Sequence, residues 1–169
     1  METESKLEVP DHAPIRERLQ ALGAECLGAV DETNVYFDRA DELLRRDHSL
    51  RLRCDGRNRL TWKGPTNVRG GVTHRPEVEV EVSSIDDTAK ILQRLGFAVA
   101  DRLPKRRETW RLPGVEIALD TLAFGNFVEI EGDPTRVPAI AEQLGLDLEH
   151  TISVSYRRLQ KERKGGVPT

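Results

Sequence analysis

Cysteine, methionine and aromatic side chains are scarce in this chain, and it has no excess of positive charge. The two cysteines, Cys26 and Cys54, show no CxxC spacing. That argues against a disulfide framework or a thiol-held metal and fits a reduced, cytoplasmic setting. Four scattered histidines (His12, His48, His74, His150) lack zinc-ligand spacing. Lys and Arg total 26 against 29 Asp and Glu, a net charge of −3. With no basic surplus, a nucleic-acid partner is not expected. No apolar run approaches the roughly 20 residues that span a bilayer. The chain opens on charged residues rather than a signal sequence, so no membrane partner is expected either.

What remains is a chain of 169 residues that is 33% charged and 37% hydrophobic. It is long enough for one domain with its own core, taken as 1–163, and a tail, 164–169, expected to be disordered. The charges are ordered. Seven stretches place charged residues at every second position: Glu2-x-Glu4-x-Lys6, Arg51-x-Arg53, Arg59-x-Thr61-x-Lys63, Arg75-x-Glu77-x-Glu79-x-Glu81, Lys105-x-Arg107, Glu116-x-Ala118-x-Asp120 and Glu129-x-Glu131. Leu50, Leu52, Leu60, Trp62, Val78, Val80, Ile117, Leu119, Val128 and Ile130 fall between them. Period two places alternate side chains on opposite faces of a strand, so each stretch has an ionic face and an apolar face. A solvated outer face would explain any one strand. The recurrence of both signs, with acids in pairs, points instead to a site for a metal and a phosphate.

Helices are expected from Pro10/Asp11 to about Leu22 (Ile15, Leu19 and Leu22 inward, Gly23 as the stop), from Ser84 through Leu95 (Ile85, Ala89, Leu92 and Leu95 inward, Gly96 as the stop), and from about Pro134 to Leu144 before Gly145. A short helix is expected within Arg39–Asp47 and a closing one within Ser153–Arg163, whereas the glycine-rich Thr66–Thr73 reads as a flexible loop. Leu19-Gln-Ala-Leu-Gly23 repeats as Leu92-Gln-Arg-Leu-Gly96, each ahead of a strand-like stretch. This suggests two related halves.

Helices need apolar surface to cover, and the apolar faces of the strands supply it. The ionic faces then look inward, as in small barrels that hold a polar ligand. The interior would hold acids at Glu2, Glu4, Glu77, Glu79, Asp120, Glu129 and Glu131 and bases at Lys6, Arg51, Arg53, Lys63, Arg75, Lys105 and Arg107. Unpartnered buried ions are costly. Hard divalent cations satisfy carboxylates, and a polyanion satisfies paired arginines.

In this order, these residues resemble the CYTH domain, or triphosphate tunnel metalloenzyme, family. Glu2-Thr3-Glu4-Ser5-Lys6 looks like its ExExK, Tyr36-Phe37-Asp38 its Y-F-D, and Leu50-Arg51-Leu52-Arg53 its L-R-x-R. Thr61-Trp62-Lys63-Gly64-Pro65 looks like its T-x-K-G-P, Arg75-Pro76-Glu77-Val78-Glu79 its R-x-E-x-E, and Lys105-Arg106-Arg107 its K-x-R. Leu119-Asp120 with Glu129-Ile130-Glu131 resembles its last acidic set. The resemblance implies an α+β fold: an eight-stranded antiparallel β-tunnel, a closed barrel with a charged interior and helices outside. It also implies that Glu2, Glu4, Asp120, Glu129 and Glu131 hold Mg²⁺ or Mn²⁺, with Glu77 and Glu79 as a second metal pair. Glu81 extends that run, leaving Glu79/Glu81 open as the pair. Lys6, Arg51, Arg53, Lys63, Arg75, Lys105 and Arg107 would grip the triphosphate. Thr3 and Ser5 stand where the family places apolar residues, so a loosely packed first strand is expected.

The activity implied is metal-dependent hydrolysis of a triphosphate: inorganic triphosphate, ATP or thiamine triphosphate. The alternatives are a class IV adenylyl cyclase making cyclic AMP and diphosphate, and a non-catalytic polyphosphate-binding module. Phosphoryl transfer needs positioning and charge neutralisation above all. Lys63 or Lys105, if crowded by other cations, is the candidate catalytic base. Trp62, Trp110, Tyr36 and Phe124 are available to stack a base or to fill the core, and a homodimer is left open.

Overall fold

Every period-two stretch lies within one strand except Arg75–Glu81, which Pro76 splits between two. The computed structural model describes residues 1–165. In chain order the elements are β1 (Glu2–Val9), α1 (Ala13–Ala21), β2 (Glu25–Asp38), α2 (Glu42–Arg45), β3 (Ser49–Cys54) and β4 (Asn58–Lys63). There follow β5 (Asn67–Arg69), β6 (Val72–Arg75), β7 (Glu77–Glu81), α3 (Ile85–Arg94) and β8 (Ala98–Leu112). The chain continues through β9 (Val115–Leu122), β10 (Gly125–Gly132), α4 (Val137–Gln143), a 3₁₀ turn at Leu148–His150 and α5 (Tyr156–Arg163). This is an α+β chain with antiparallel pairing, divided into two units; β2 and β8 run from one into the other.

The first unit comprises Met1–Val30, Asn67–His74 and Lys105–Ser153. Its strands run β5-β6-β1-β10-β9-β8. The register pairs Glu4 with Glu131 and Lys6 with Glu129 across β1 and β10, Glu129 with Ala118 and Phe127 with Asp120 across β10 and β9, and Arg107 with Asp120 across β8 and β9. Directly opposed residues share a face, so Glu4, Lys6, Glu129, Glu131, Asp120 and Arg107 of four strands lie on one side. The other side carries Val9, Ile117, Leu119, Val128, Ile130, Trp110 and Leu112, packed with Ile15 and Leu19 of α1 and Val137, Ile140, Ala141 and Leu144 of α4. Glu108, outward on β8, ties the layers together. It accepts from Arg16 Nε at 2.9 and 3.0 Å and from Trp110 Nε1 at 2.7 Å.

The second unit comprises Asp31–Thr66, Arg75–Pro104 and the chain from Val154. Its ladders run β2-β3-β4-β7. Asn34 is opposite Arg53, Arg51 opposite Thr61, Thr61 opposite Glu79 and Lys63 opposite Glu77. The apolar side gathers Val35, Phe37, Leu50, Leu52, Leu60 and Val82 under Ile85, Ala89 and Leu92 of α3.

Several expectations are corrected. Among the described residues the strands number ten rather than the eight of a closed barrel, and their hydrogen-bond pairing runs from β5 to β7 without closing the sheet. Thr66–Thr73 is no flexible loop. It forms the β5–β6 hairpin, turned at Gly70 and Gly71, whose φ values of 57° and 74° suit glycine. That hairpin also explains Thr3 and Ser5. Ser5 is fully buried and donates to Gly71 O at 2.9 Å, and Thr3 Oγ1 bonds His74 Nδ1 at 3.0 Å. The first strand is therefore pinned by hydrogen bonds rather than loosely packed. The third helix, α4, begins at Val137, because Asp133–Thr135 forms a side-chain-capped turn first. The short helix is confined to the four residues of α2. Leu22 and Leu95, expected inward, are exposed. Of the tail, Lys164 and Gly165 form the turn ending α5; 166–169 lie outside the described residues.

Candidate functional site

In the first unit, charge is concentrated and sealed. Asp120 is completely buried and accepts from Lys105 Nζ at 2.7 Å and from Arg107 Nε and Nη2 at 2.7 and 2.6 Å. Arg107 also reaches Glu129, and Lys6 stands 3.6 Å from Glu129 and 3.7 Å from Glu4. Burial alone would push the Asp120 carboxyl up. Arg107 and Lys105 outweigh that and hold it below the usual range. Alternation on four adjacent strands thus interleaves acids and bases, and Asp120, Glu129 and Glu4 each have a cation within reach.

One row of this face is different. Glu4, Glu131 and Glu116 stand opposite one another across β1, β10 and β9. Arg111, opposite Glu116, approaches it at 3.8 Å. Like charges placed directly opposite repel. A groove of about 390 Å³ lies at this end of the face, lined by Arg111, Gly114, Val115, Glu116, Glu131 and Gly132. Among the described residues no three His, Cys, Asp or Glu side chains are gathered at metal-ligand spacing. The donor set is nonetheless all carboxylate oxygen, the chemistry hard cations prefer, and the acidic row is where a cation would relieve repulsion. The donor type, not its present spacing, is that of a hard-cation site.

The second unit carries the other predicted residues. Glu79 accepts from Thr61 Oγ1 at 2.7 Å and from Arg59 Nη1 at 3.2 Å, and Lys63 Nζ is 3.3 Å from Glu77. Burial raises the Glu79 carboxyl, but the Thr61 hydrogen bond and the charges of Arg59 and Arg51 bring it below its ordinary value. Glu81 is two-thirds exposed and faces the exposed Arg57 at 3.5 Å, so Glu77 and Glu79 are the more enclosed pair. Arg75 is buried. Two of its guanidinium nitrogens donate to backbone carbonyls, Nε and Nη2 to Gly64 O at 3.0 and 2.6 Å and Nη2 to Asp47 O at 3.2 Å. Lys63 and Lys105, the candidate bases, each stand against a carboxylate. Trp110 fills the first core. Trp62 packs edge-on to His48, and Phe124 edge-on to Phe127.

Two groups escaped the sequence reading. On β2, Glu32, Asn34, Tyr36 and Asp38 alternate like the charged stretches and are all buried. The signal was the same period, hidden because an amide and a phenol interrupt the charges. The other group centres on Arg157 of α5, 1% exposed, which bonds Asp38 at 2.5 Å and Asp41 and Asp101 at 2.6 Å each. Lys161 joins Asp41 at 2.8 Å. Asp38 also accepts from the backbone N–H groups of Arg39, Leu43 and Leu44. Burial would raise the Asp38 carboxyl, but Arg157 and these N–H groups hold it low, while Asp38 and Asp101 hold the Arg157 guanidinium high against the effect of burial. No sequence spacing announces an ion cluster gathered from three separate segments.

A family model for the CYTH domain matches residues 1–156. The chain belongs to the CYTH family. Among solved structures, the PH1819 protein of Pyrococcus horikoshii is similar at 27% identity, covering 96% of this chain and 99% of its own, with a TM-score of 0.81. A candidate adenylate cyclase from Vibrio parahaemolyticus is 22% identical, with coverage of 95% and 97% and a TM-score of 0.80. The candidate adenylyl cyclase HpAC1 from Hippeastrum, described as having a dominant triphosphatase activity, is 21% identical, with coverage of 99% and 98% and a TM-score of 0.67. At those identities the last two show shared fold. Among the described residues no helix of this CYTH protein is long and apolar enough to cross a membrane.

Proposed function

We propose that this CYTH protein hydrolyses a triphosphate, inorganic or borne by a small organic group, in a metal-dependent reaction. The observation that carries the reading is the ionic face of the first unit, where Asp120 is fully buried between Lys105 and Arg107 and the row Glu4–Glu131–Glu116 lies on the same face. A pure anion binder gains nothing from carboxylates set among its cations, whereas a metal–phosphate site needs both signs. Glu2, Glu4, Asp120, Glu129 and Glu131 would hold Mg²⁺ or Mn²⁺, and Glu77 with Glu79 would form the second pair. When bound, the metal neutralises phosphate charge and polarises the phosphorus–oxygen bonds.

The chain's own residues do the rest. Lys6, Arg51, Arg53, Lys63, Arg75, Lys105 and Arg107 bind and orient phosphate oxygens, with arginine favoured where two parallel N–H bonds meet one phosphate. Lys63 and Lys105, each against a carboxylate, serve as charge carriers in this scheme. Water is the nucleophile. Its oxygen bonds to the terminal phosphorus as the bridging P–O bond breaks, and inorganic triphosphate yields orthophosphate and diphosphate.

A cyclase uses the same grip on the triphosphate, with the ribose 3′-hydroxyl attacking and diphosphate leaving. The candidate cyclase of the same fold keeps this as the second reading. The two readings share that grip and differ in which phosphorus is attacked and by what nucleophile. The test is product analysis after incubation with ATP or inorganic triphosphate, in Mg²⁺, Mn²⁺ or EDTA. Orthophosphate that disappears with EDTA is the expected result. Cyclic AMP with equal diphosphate establishes the cyclase, and no product from either substrate overturns both.

A further inference from the structure

We infer that Glu32 and Asn34 are positioning residues for Arg53, setting the direction of its guanidinium before a phosphate arrives. The inference rests on the reading of Arg53 as a phosphate-binding side chain. Asn34 lies opposite Arg53 in the β2–β3 register, so the two side chains stand on one face. Arg53 Nε donates to Asn34 Oδ1 at 3.2 Å, Asn34 Nδ2 donates to Glu32 Oε2 at 3.3 Å, and the same Glu32 oxygen is 3.4 Å from Arg53 Nε. The three groups close a triangle. All are buried, Glu32 and Asn34 to 2% exposure and Arg53 to 8%.

Both of these contacts are made at Nε, the root of the guanidinium. A planar guanidinium recognises phosphate through two parallel N–H bonds, so its value depends on orientation. An arginine free to rotate loses conformational entropy on binding, and one already fixed at Nε loses less. Asn34 does two jobs with one amide: its oxygen accepts a hydrogen bond from Arg53 Nε–H while its NH₂ donates to Glu32. Glu32 in turn compensates a buried positive charge, so removal of its charge releases the guanidinium without removing it. Opposite Arg51, the next in-face arginine of β3, β2 places Tyr36.

The experiment uses the full chain with Glu32→Gln, Asn34→Ala and Arg53→Ala variants, plus the Glu32→Gln/Arg53→Ala double variant. Inorganic triphosphate is titrated calorimetrically, with and without Mg²⁺. Glu32→Gln and Asn34→Ala are each expected to weaken binding about tenfold, the lower end of what losing an outer orienting partner does. In the Arg53→Ala background, Glu32→Gln is expected to weaken binding no further. A merely structural Glu32 would lower the melting temperature and leave binding by the folded protein unchanged in both backgrounds, and that result overturns the inference. A second readout needs no ligand. Hydrogen exchange of the Arg53 Nε–H, assigned by its loss in Arg53→Lys, is expected to quicken in both Glu32→Gln and Asn34→Ala; unchanged exchange also overturns the inference. Should the wild type bind no triphosphate with or without metal, the functional reading of Arg53 fails, and the exchange data still decide whether Glu32 and Asn34 hold it.

Discussion

The two units begin alike and end differently. Each has a helix closing on Leu-Gln-x-Leu-Gly, and in each the first leucine is buried (Leu19, Leu92) and the second exposed (Leu22, Leu95). Each glycine takes a positive φ, 69° at Gly23 and 89° at Gly96, and a long strand follows. The same five-residue signal gives the same local turn, because a helix stop depends on residues within one turn of it. The fate of the charges is not shared. In the first unit α1 and α4 cover a wide apolar layer, and on the opposite face Asp120, Lys6 and Lys105 are all buried. In the second unit, burial falls off from β2, where Glu32 and Asn34 are sealed, to the edge strand β7, where Glu81 is open to water. The most buried charge of that unit, Arg157, lies on a helix instead. Alternation distributes side chains between faces. Depth depends on where a strand lies in its ladder.

The contrast can be broken most severely at Arg157. Arg157→Met leaves Asp38, Asp41 and Asp101 facing one another without their common partner. Breaking such a buried set is expected to cost about 3–5 kcal/mol, read by urea denaturation, because an uncompensated buried charge remains. A loss under about 1 kcal/mol, the worth of an exposed pair, would show that this network is solvated.

Asp120→Asn tests the first unit on activity. The amide keeps the shape but neither the charge that pairs Lys105 and Arg107 nor a metal-binding carboxylate. Metal-dependent phosphate release is expected to fall by about 10³-fold, comparable to losing a key electrostatic group, with a smaller stability loss than Arg157→Met. Glu2→Gln and Glu131→Gln should likewise abolish turnover with only modest destabilisation. Near wild-type turnover in all three would sink the metal assignment.

Acid sharpens the comparison next. Asp120, Asp38 and Glu79 all have lowered carboxyl values. A depressed folded value means that the stabilisation is present above the unfolded value, about 4 for these carboxylates, and is lost as pH falls through the folded value. Wild-type stability should therefore fall as pH drops below about 4. Asp120→Asn should flatten part of that fall and leave the part owed to Asp38. An unchanged acid limb in the variant would contradict the held-down carboxyl.

The smallest effects belong to β7. Glu79→Gln weakens a half-open pairing with Arg59 and Thr61 and is expected to cost about 1 kcal/mol or less. Glu81→Gln, facing exposed Arg57, should stay within about 0.5 kcal/mol and leave turnover unchanged. A turnover loss at Glu81 equal to that at Glu79 would move the second acidic pair outward.

Much of this was legible in the residues. The alternation in Glu2–Lys6, Arg51–Arg53, Arg59–Lys63 and Glu129–Glu131 specified strands and their ionic faces, because period two admits no other regular backbone. The stops at Gly23, Gly96 and Gly145 were equally readable, each at positive φ. Less legible were cases where a polar side chain serves the fold: Ser5 against Gly71, Thr61 beneath Glu79, and Asn34 between Glu32 and Arg53. A strand or turn distant in sequence supplies a partner in each case, and nothing in the local spacing marks it.

The sequence by itself therefore determined which residues alternate, where the helices stop, and which charges share a face. These follow from bond geometry and short-range sterics, which act over a few residues. Only the tertiary structure decided which of those charges are buried, that Asp120 lies between Lys105 and Arg107, and that Arg157 meets Asp38, Asp41 and Asp101. Those outcomes depend on the register between strands distant in sequence and on what covers each face. Both are set by the packing of the apolar side, which the charged residues themselves do not encode.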